Sequence, residues 1–159
     1  MTEETSSARR AETVTRKRTP QNPGHQLASL AVDAAIDTKA ENVSVLDLRG
    51  ISGVADYFVL ATGSSDLQIR AIANAIQDEI EDECDERPWH KEGLEHLKWV
   101  LLDYVDVVVH IFTREKREHY GLERLWGEAD AETVPEDGDS ADVELLQKAQ
   151  QPPRQTGSA

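Results

Sequence analysis

Gly63-Ser64-Ser65 leads into an amphipathic stretch beginning at Asp66, and amides in a glycine-serine turn that opens a helix can cradle a phosphate. A magnesium-dependent nucleotidyltransferase would follow such a turn with two carboxylates on one face, holding the metal against a triphosphate. Here the next acid, Asp66, falls within the helix start, and no Asp-x-Asp follows in a strand. Asp103 and Asp106 are three apart, so a straight strand sends them to opposite faces. His110 sits mid-strand between Val109 and Ile111 without a base–orienter pair, and reads as a hydrogen-bonded structural histidine. His90 and His96 flank Glu92 and Glu95, but without an H-E-x-x-H spacing or a cysteine partner they read as solvated loop residues. Cys84 is the only cysteine, which excludes an intrachain disulfide and a multi-cysteine zinc site. It reads as a small apolar residue on a helix. The expectation is a protein with no catalytic residue, no metal and no cofactor.

Other residues fit binding better than catalysis. Trp99–Tyr104 reads as a strand, and alternation places Trp99, Leu101 and Asp103 on one face, Val100, Leu102 and Tyr104 on the other. Only one face can be fully core, and the carboxylate marks the Trp99 face as the exposed one. Trp99 is then a partner anchor, tryptophan being enriched among interface hot spots; the alternative is a core tryptophan at a strand start. Asp103 and Asp106 either pair with Lys or Arg of a partner or bond nearby backbone amides in the turn. Tyr104 is an anchor or a core residue with a satisfied hydroxyl. Arg117 pairs with an acidic neighbour or protrudes toward a partner. Tyr120, Leu125 and Trp126 fasten the last helix to the sheet or support a contact. Tyr57 and Phe58 read as core.

The chain that must position these residues has 159 of them, 38% hydrophobic and only 5% aromatic, so the core is aliphatic and of modest size. With 31 acids against 17 bases the net charge is −14, a field that repels nucleic-acid backbones and favours basic partners or a high-salt milieu. No apolar run approaches bilayer length, and the basic N-terminus lacks a following apolar block, so the default location is the cytoplasm, with no membrane partner.

Composition divides the chain into three zones. Residues 1–23 hold few large apolar side chains, and residues 127–159 carry eight acids against two bases with many Pro, Gly, Gln and Ser, so both read as disordered tails. The domain is 24–126. Leu27, Leu30, Ala31, Ala34 and Ala35 recur at helical spacing, giving a helix that ends near Lys39. Val43–Leu48 and Asp56–Thr62 read as strands. Ser65 with Gln68 fits a capping box opening a helix over Asp66–Cys84, with Ile69, Ile72, Ile76 and Ile80 on its inner face. A short edge strand at Arg87–Lys91, a hairpin of Trp99–Tyr104 and Val107–Phe112, and a helix capped by Thr113 and running to Tyr120 complete the order. This is an α/β (α+β) arrangement: a mixed sheet of about five strands flanked by helices. A short helix around Val143–Ala149 would have little to pack on.

Four segments together resemble the RsfS/Iojap family of ribosomal silencing factors. They are DTKAENVSVLDLRG (Asp37–Gly50), ISGVADYFVLATGSS (Ile51–Ser65), WVLLDYVDVVVHIF (Trp99–Phe112) and REHYGLERLWG (Arg117–Gly127). They stand in the family's order and spacing. Val105 replaces a common glycine, so its turn must avoid a left-handed backbone there or carry strain. His119 replaces the commoner aromatic. The resemblance implies a nucleotidyltransferase-like core without catalytic residues. It also implies a function: binding the large ribosomal subunit through its fourteenth protein (L-fourteen), blocking association with the small subunit and repressing translation. The resemblance also implies that a homodimer is possible, while the acidic charge of the domain argues against a specific nucleic-acid partner. Trp99, Leu101, Asp103, Tyr104, Asp106, Arg117 and Tyr120 are the candidate partner-binding residues. The competing readings are the nucleotidyltransferase and a general interaction module that docks through the acidic helix face of Asp78, Glu79, Asp82 and Glu83.

Overall fold

The computed structural model describes residues 22–147. Helix α1 (Gly24–Asp37) is followed by β1 (Glu41–Asp47), β2 (Tyr57–Thr62), α2 (Asp66–Cys84), β3 (His90–Glu92), β4 (Trp99–Asp103) and β5 (Val107–Phe112). Then come α3 (Arg114–Tyr120), the one-turn α4 (Leu122–Leu125), β6 (Asp130–Thr133), a 3₁₀ turn at Ser140–Asp142 and α5 (Glu144–Gln147). None of these helices is long and apolar enough to cross a membrane.

The cap of α2 departs slightly from the expected box. Ser65 Oγ accepts from the Gln68 amide (3.0 Å), but Gln68 Oε1 accepts from Ser64, at 2.7 Å, one residue before the cap. Gln68 Nε2 donates to the Lys39 carbonyl (2.8 Å), which ties the start of α2 to the link after α1. Gly63 serves packing here: a Cβ would lie 2.6 Å from Ile69 Cγ1, so the turn is filled by the helix it precedes.

The strands form one six-stranded sheet in the order β3-β4-β5-β2-β1-β6. Only β2 and β5 pair in parallel, Tyr57 opposite Val107 through Thr62 opposite Phe112; the other pairs are antiparallel. Both central strands are buried along their whole length, because each face is covered. On one face α1 and α2 set Leu27, Val32, Ile69, Ile72 and Ile76 against Val59, Val109 and Ile111. Cys84 is buried in the same core. On the other face Leu46, Leu48, Phe58, Leu60, Val108 and Phe112 meet Leu122, Trp126 and Ala129 from the segment after α3, with Arg117 of α3 over the Phe112 ring at 5.7 Å. Helices α1 and α2 cover one side; on the other the segment after α3 covers the central strands and leaves β4 half-exposed.

Two expectations about extent are corrected. The sheet has a sixth strand, and the fold does not stop at 126. β6 pairs with β1 from Ser44 opposite Thr133 to Asp47 opposite Asp130. Val134, Val143 and Leu146 are buried in the α1 side of the core. Glu132 accepts from the amides of Glu144 (3.0 Å) and Leu145 (3.1 Å), satisfying the first turn of α5. Asp33 on α1 takes the amide (2.9 Å) and hydroxyl (3.0 Å) of Ser140. A few well-placed apolar residues plus backbone pairing thus outweigh an acidic, Pro- and Gly-rich composition. At the other end Asn22 Nδ2 donates to Cys84 O (3.1 Å) and Glu86 (2.9 Å), so residue 22 already belongs to the fold. The remaining residues of both expected tails, 1–21 and 148–159, lie outside the described residues.

Candidate docking surface

β4 alternates as its sequence requires: Val100 and Leu102 are fully buried, while Trp99, Leu101 and Asp103 are half-buried on the opposite face. That face is the one left open at its β4 end. Trp99 packs on it against Phe112 (ring centroids 5.6 Å apart) and Tyr120 (4.7 Å). Tyr120, at the end of α3, is 46% exposed and forms the outer edge of this aromatic step. Leu125, in the covering segment, is 71% exposed, so it does not fasten that segment down. Trp126 does, meeting Phe58 edge to face at 5.9 Å.

The acidic rim comes from strand pairing. His90 lies opposite Asp103 and Glu92 opposite Leu101, and residues directly opposite in an antiparallel pair share a face. His90 and Glu92 are themselves bonded at 2.8 Å, both exposed. Asp103 Oδ1 accepts the Val105 amide at 2.8 Å, so its turn role is real, and the side chain remains half-exposed beside Leu101. A half-covered aromatic–aliphatic patch edged by carboxylates suits a basic partner surface with apolar contacts.

The turn after β4 takes the strained course. Val105 has φ +77°, the Asp106 amide donates to the Tyr104 carbonyl (2.9 Å), and the Tyr104 amide donates to Val107 O (2.8 Å). The bond from the Asp106 amide to the Tyr104 carbonyl closes a γ-turn about Val105, a rare and strained form whose central residue has positive φ.

Three of the expected contact residues are not brought to this surface. Tyr104 is 2% exposed on the helix side of the sheet, where burial pushes its phenol pKa up; the strand's own alternation excludes it from a contact. Asp106 sits at the end of the sheet where α1 begins, its Cβ 3.4 Å from where a Gly24 side chain would start, and its carbonyl accepts from Asp56 (2.7 Å). Arg117 is turned inward, its side chain 11% exposed. Its Nη1 donates to Asn42 O (2.6 Å) and Thr62 Oγ1 (2.9 Å), its Nη2 to Ser44 Oγ (2.9 Å) and Glu123 (2.6 Å), and its Nε to Glu123 (3.4 Å). Every N–H of the guanidinium is spent, so Arg117 staples α3 to β1 and β2 and offers a partner nothing.

His110 is the hydrogen-bonded structural histidine that the sequence suggested, but its partner, Trp99, was not foreseen. It lies beneath Trp99, 4% exposed, and its Nδ1 accepts from Trp99 Nε1 at 3.1 Å. Phe58 meets its ring edge-on at 4.6 Å. Burial pushes its pKa down to about 4, so the ring is neutral at ordinary pH. The two-residue alternation from His110 to Phe112, and the register opposite Leu101, were the signals that could have placed it.

At the turn that the nucleotidyltransferase reading would use, the charged groups are already paired. Asp66 is ion-paired with Lys98 at 3.2 Å, and the 440 Å³ concavity behind α3 holds the fully committed Arg117 and Arg114, which pairs with Glu41 at 3.3 Å.

The family described as ribosomal silencing factor during starvation, RsfS, matches residues 20–159. The ribosomal silencing factor RsfS of Bacillus subtilis is 45% identical over 103 residues, spanning 65% of this chain and 86% of its own. That of Halalkalibacterium halodurans is 43% identical over 113 residues, 71% and 94% of the two chains. A crystal structure of a Chromobacterium violaceum protein superposes with a TM-score of 0.64 at 32% identity, covering 67% of this chain and 88% of that one. This chain belongs to the RsfS family of ribosomal silencing factors.

Proposed function

We propose that this protein silences translation by occlusion: it docks on the large ribosomal subunit through the fourteenth protein of that subunit and keeps the small subunit from joining. The observation that carries this reading is the half-covered face of Trp99, Leu101 and Tyr120, edged by Asp103 and Glu92. Such a face offers rigid aromatic area for apolar contact and carboxylates for Lys or Arg, and occlusion needs a docking surface, not reactive groups. The reading takes the protein as a non-enzyme of the cytoplasm that forms homodimers, as the family resemblance implies; sedimentation equilibrium reads the last of these.

Sedimentation with separated ribosomal subunits tests the proposal. The protein should travel with the large subunit and not the small one, less so as salt is added. Asp103→Asn keeps the acceptor for the Val105 amide and removes only the charge, so it should weaken binding several-fold at low salt. Neutralising Asp78, Glu79, Asp82 and Glu83 together should leave binding intact. If the helix variant alone loses binding, the acidic face of α2 is the docking site and the proposal is wrong.

A further inference from the structure

Trp99 is placed by one polar bond in an otherwise apolar layer. Its neighbours are Phe112 and Leu101 on the sheet and Tyr120 at the end of α3, whose apolar contacts carry no direction of their own. The bond from Nε1 to His110 Nδ1 (3.1 Å) is directional and fixes both the depth and the rotation of the ring.

This arrangement has a cost within the fold. Because Nδ1 accepts, the neutral ring carries its proton on Nε2. Nε2 is buried with no hydrogen-bond partner among the described residues. A buried N–H without an acceptor is destabilising, and a leucine of similar breadth would suit Phe58, Leu60 and Phe112 better. His110 therefore costs stability at a position directly under the exposed aromatic step, and what it supplies there is the bond to Trp99.

We infer that His110 is a positioning residue for partner binding: by accepting the Trp99 indole N–H it locks one indole face outward beside Tyr120, so the anchor is set before the partner arrives. This rests on the docking surface proposed above. Preorganisation of this kind raises affinity by removing the entropy cost of ordering the anchor on binding. The apolar neighbours hold the ring in the layer, and the bond to His110 is the directional contact that fixes its rotation.

The test compares the full-length protein with His110→Leu and His110→Gln, using purified large ribosomal subunits as the probe and the indole ¹H–¹⁵N resonance of Trp99 as a direct report on the bond. His110→Leu should melt no lower than the parent, shift the Trp99 indole resonance, speed its hydrogen exchange and weaken subunit binding about tenfold. His110→Gln, whose amide oxygen can accept, should recover much of that affinity. A merely structural histidine would not separate stability from binding in this way. If His110→Leu binds like the parent while Trp99→Ala does not, the positioning role is wrong and the docking surface stands. If the parent itself fails to bind, or Trp99→Ala binds normally, the docking surface is wrong and this role falls with it. Should His110→Leu fold poorly, the parent's own spectrum decides: a Trp99 indole proton exchanging as fast as that of free tryptophan contradicts the lock.

Discussion

Asp103 and Val105 are joined across the hairpin turn, the Val105 amide donating to Asp103 Oδ1 at 2.8 Å while Val105 holds φ +77°. The carboxylate therefore supports a backbone conformation that a β-branched residue resists, and the same side chain edges the docking surface. The turn is strained for geometric reasons: the Asp106 amide bonds back to the Tyr104 carbonyl in a γ-turn about Val105.

Val105→Gly should relieve that strain. Positive φ at a β-branched residue costs about 1–3 kcal/mol, and the extra freedom glycine gives the unfolded chain offsets roughly 0.5–1 kcal/mol of the gain. The expected net effect is about 1 kcal/mol of stabilisation, a rise of several degrees in melting temperature measured by calorimetry. A fall would mean that Val105 makes packing contacts worth more than its strain.

Arg117→Ala should cost about 2–4 kcal/mol, since it strips partners from Asn42 O, Thr62, Ser44 and Glu123 at once. Arg117→Lys should recover less than half, because an ammonium cannot reproduce the planar fork. Urea unfolding reads both. Equal stability of the lysine variant and the parent would show that charge alone, not the fork, matters.

Leu146→Ala should destabilise by about 2–3 kcal/mol, as expected for a buried leucine replaced in a packed site. This checks in solution that the segment after 126 belongs to the fold. No change in the urea midpoint would contradict it.

Much of the fold was legible in the sequence because its strands alternate or run apolar and its helices carry helical spacing. The bounds of α2, the Thr113 cap and the β4–β5 hairpin all follow from such local signals. The C-terminal portion was not legible, because Val134, Val143 and Leu146 are scattered among acids and its pairing with β1 is a long-range fact. At the candidate site, alternation separated Trp99, Leu101 and Asp103 from the core. The same alternation argued against Tyr104, whose aromatic ring suggested an anchor. Arg117 could not be resolved, since its acceptors come from β1, β2 and α4, far apart in the chain.

His110 should give stability a distinctive dependence on pH. Its folded pKa, pushed down to about 4, lies below the unfolded value near 6.5, so between those values the unfolded chain binds the extra proton. Stability is then complete above about pH 6.5 and falls as pH drops toward about 4. Between pH 7 and pH 5 the loss should be about 2 kcal/mol. His110→Leu should flatten that slope in urea titrations at the two pH values. An unchanged slope would mean that His110 titrates normally, contradicting its burial.

Subunit joining tests the central claim most directly. Purified large and small subunits are mixed at joining conditions with increasing protein, and couples are read by light scattering or gradient sedimentation. Tyr120→Lys serves as the control, because that side chain is exposed on the docking surface and its replacement spares the core. The account predicts that the parent protein suppresses joining in proportion to its occupancy of the large subunit, and that Tyr120→Lys needs on the order of tenfold more protein. Normal joining with the large subunit saturated by the parent protein would contradict it.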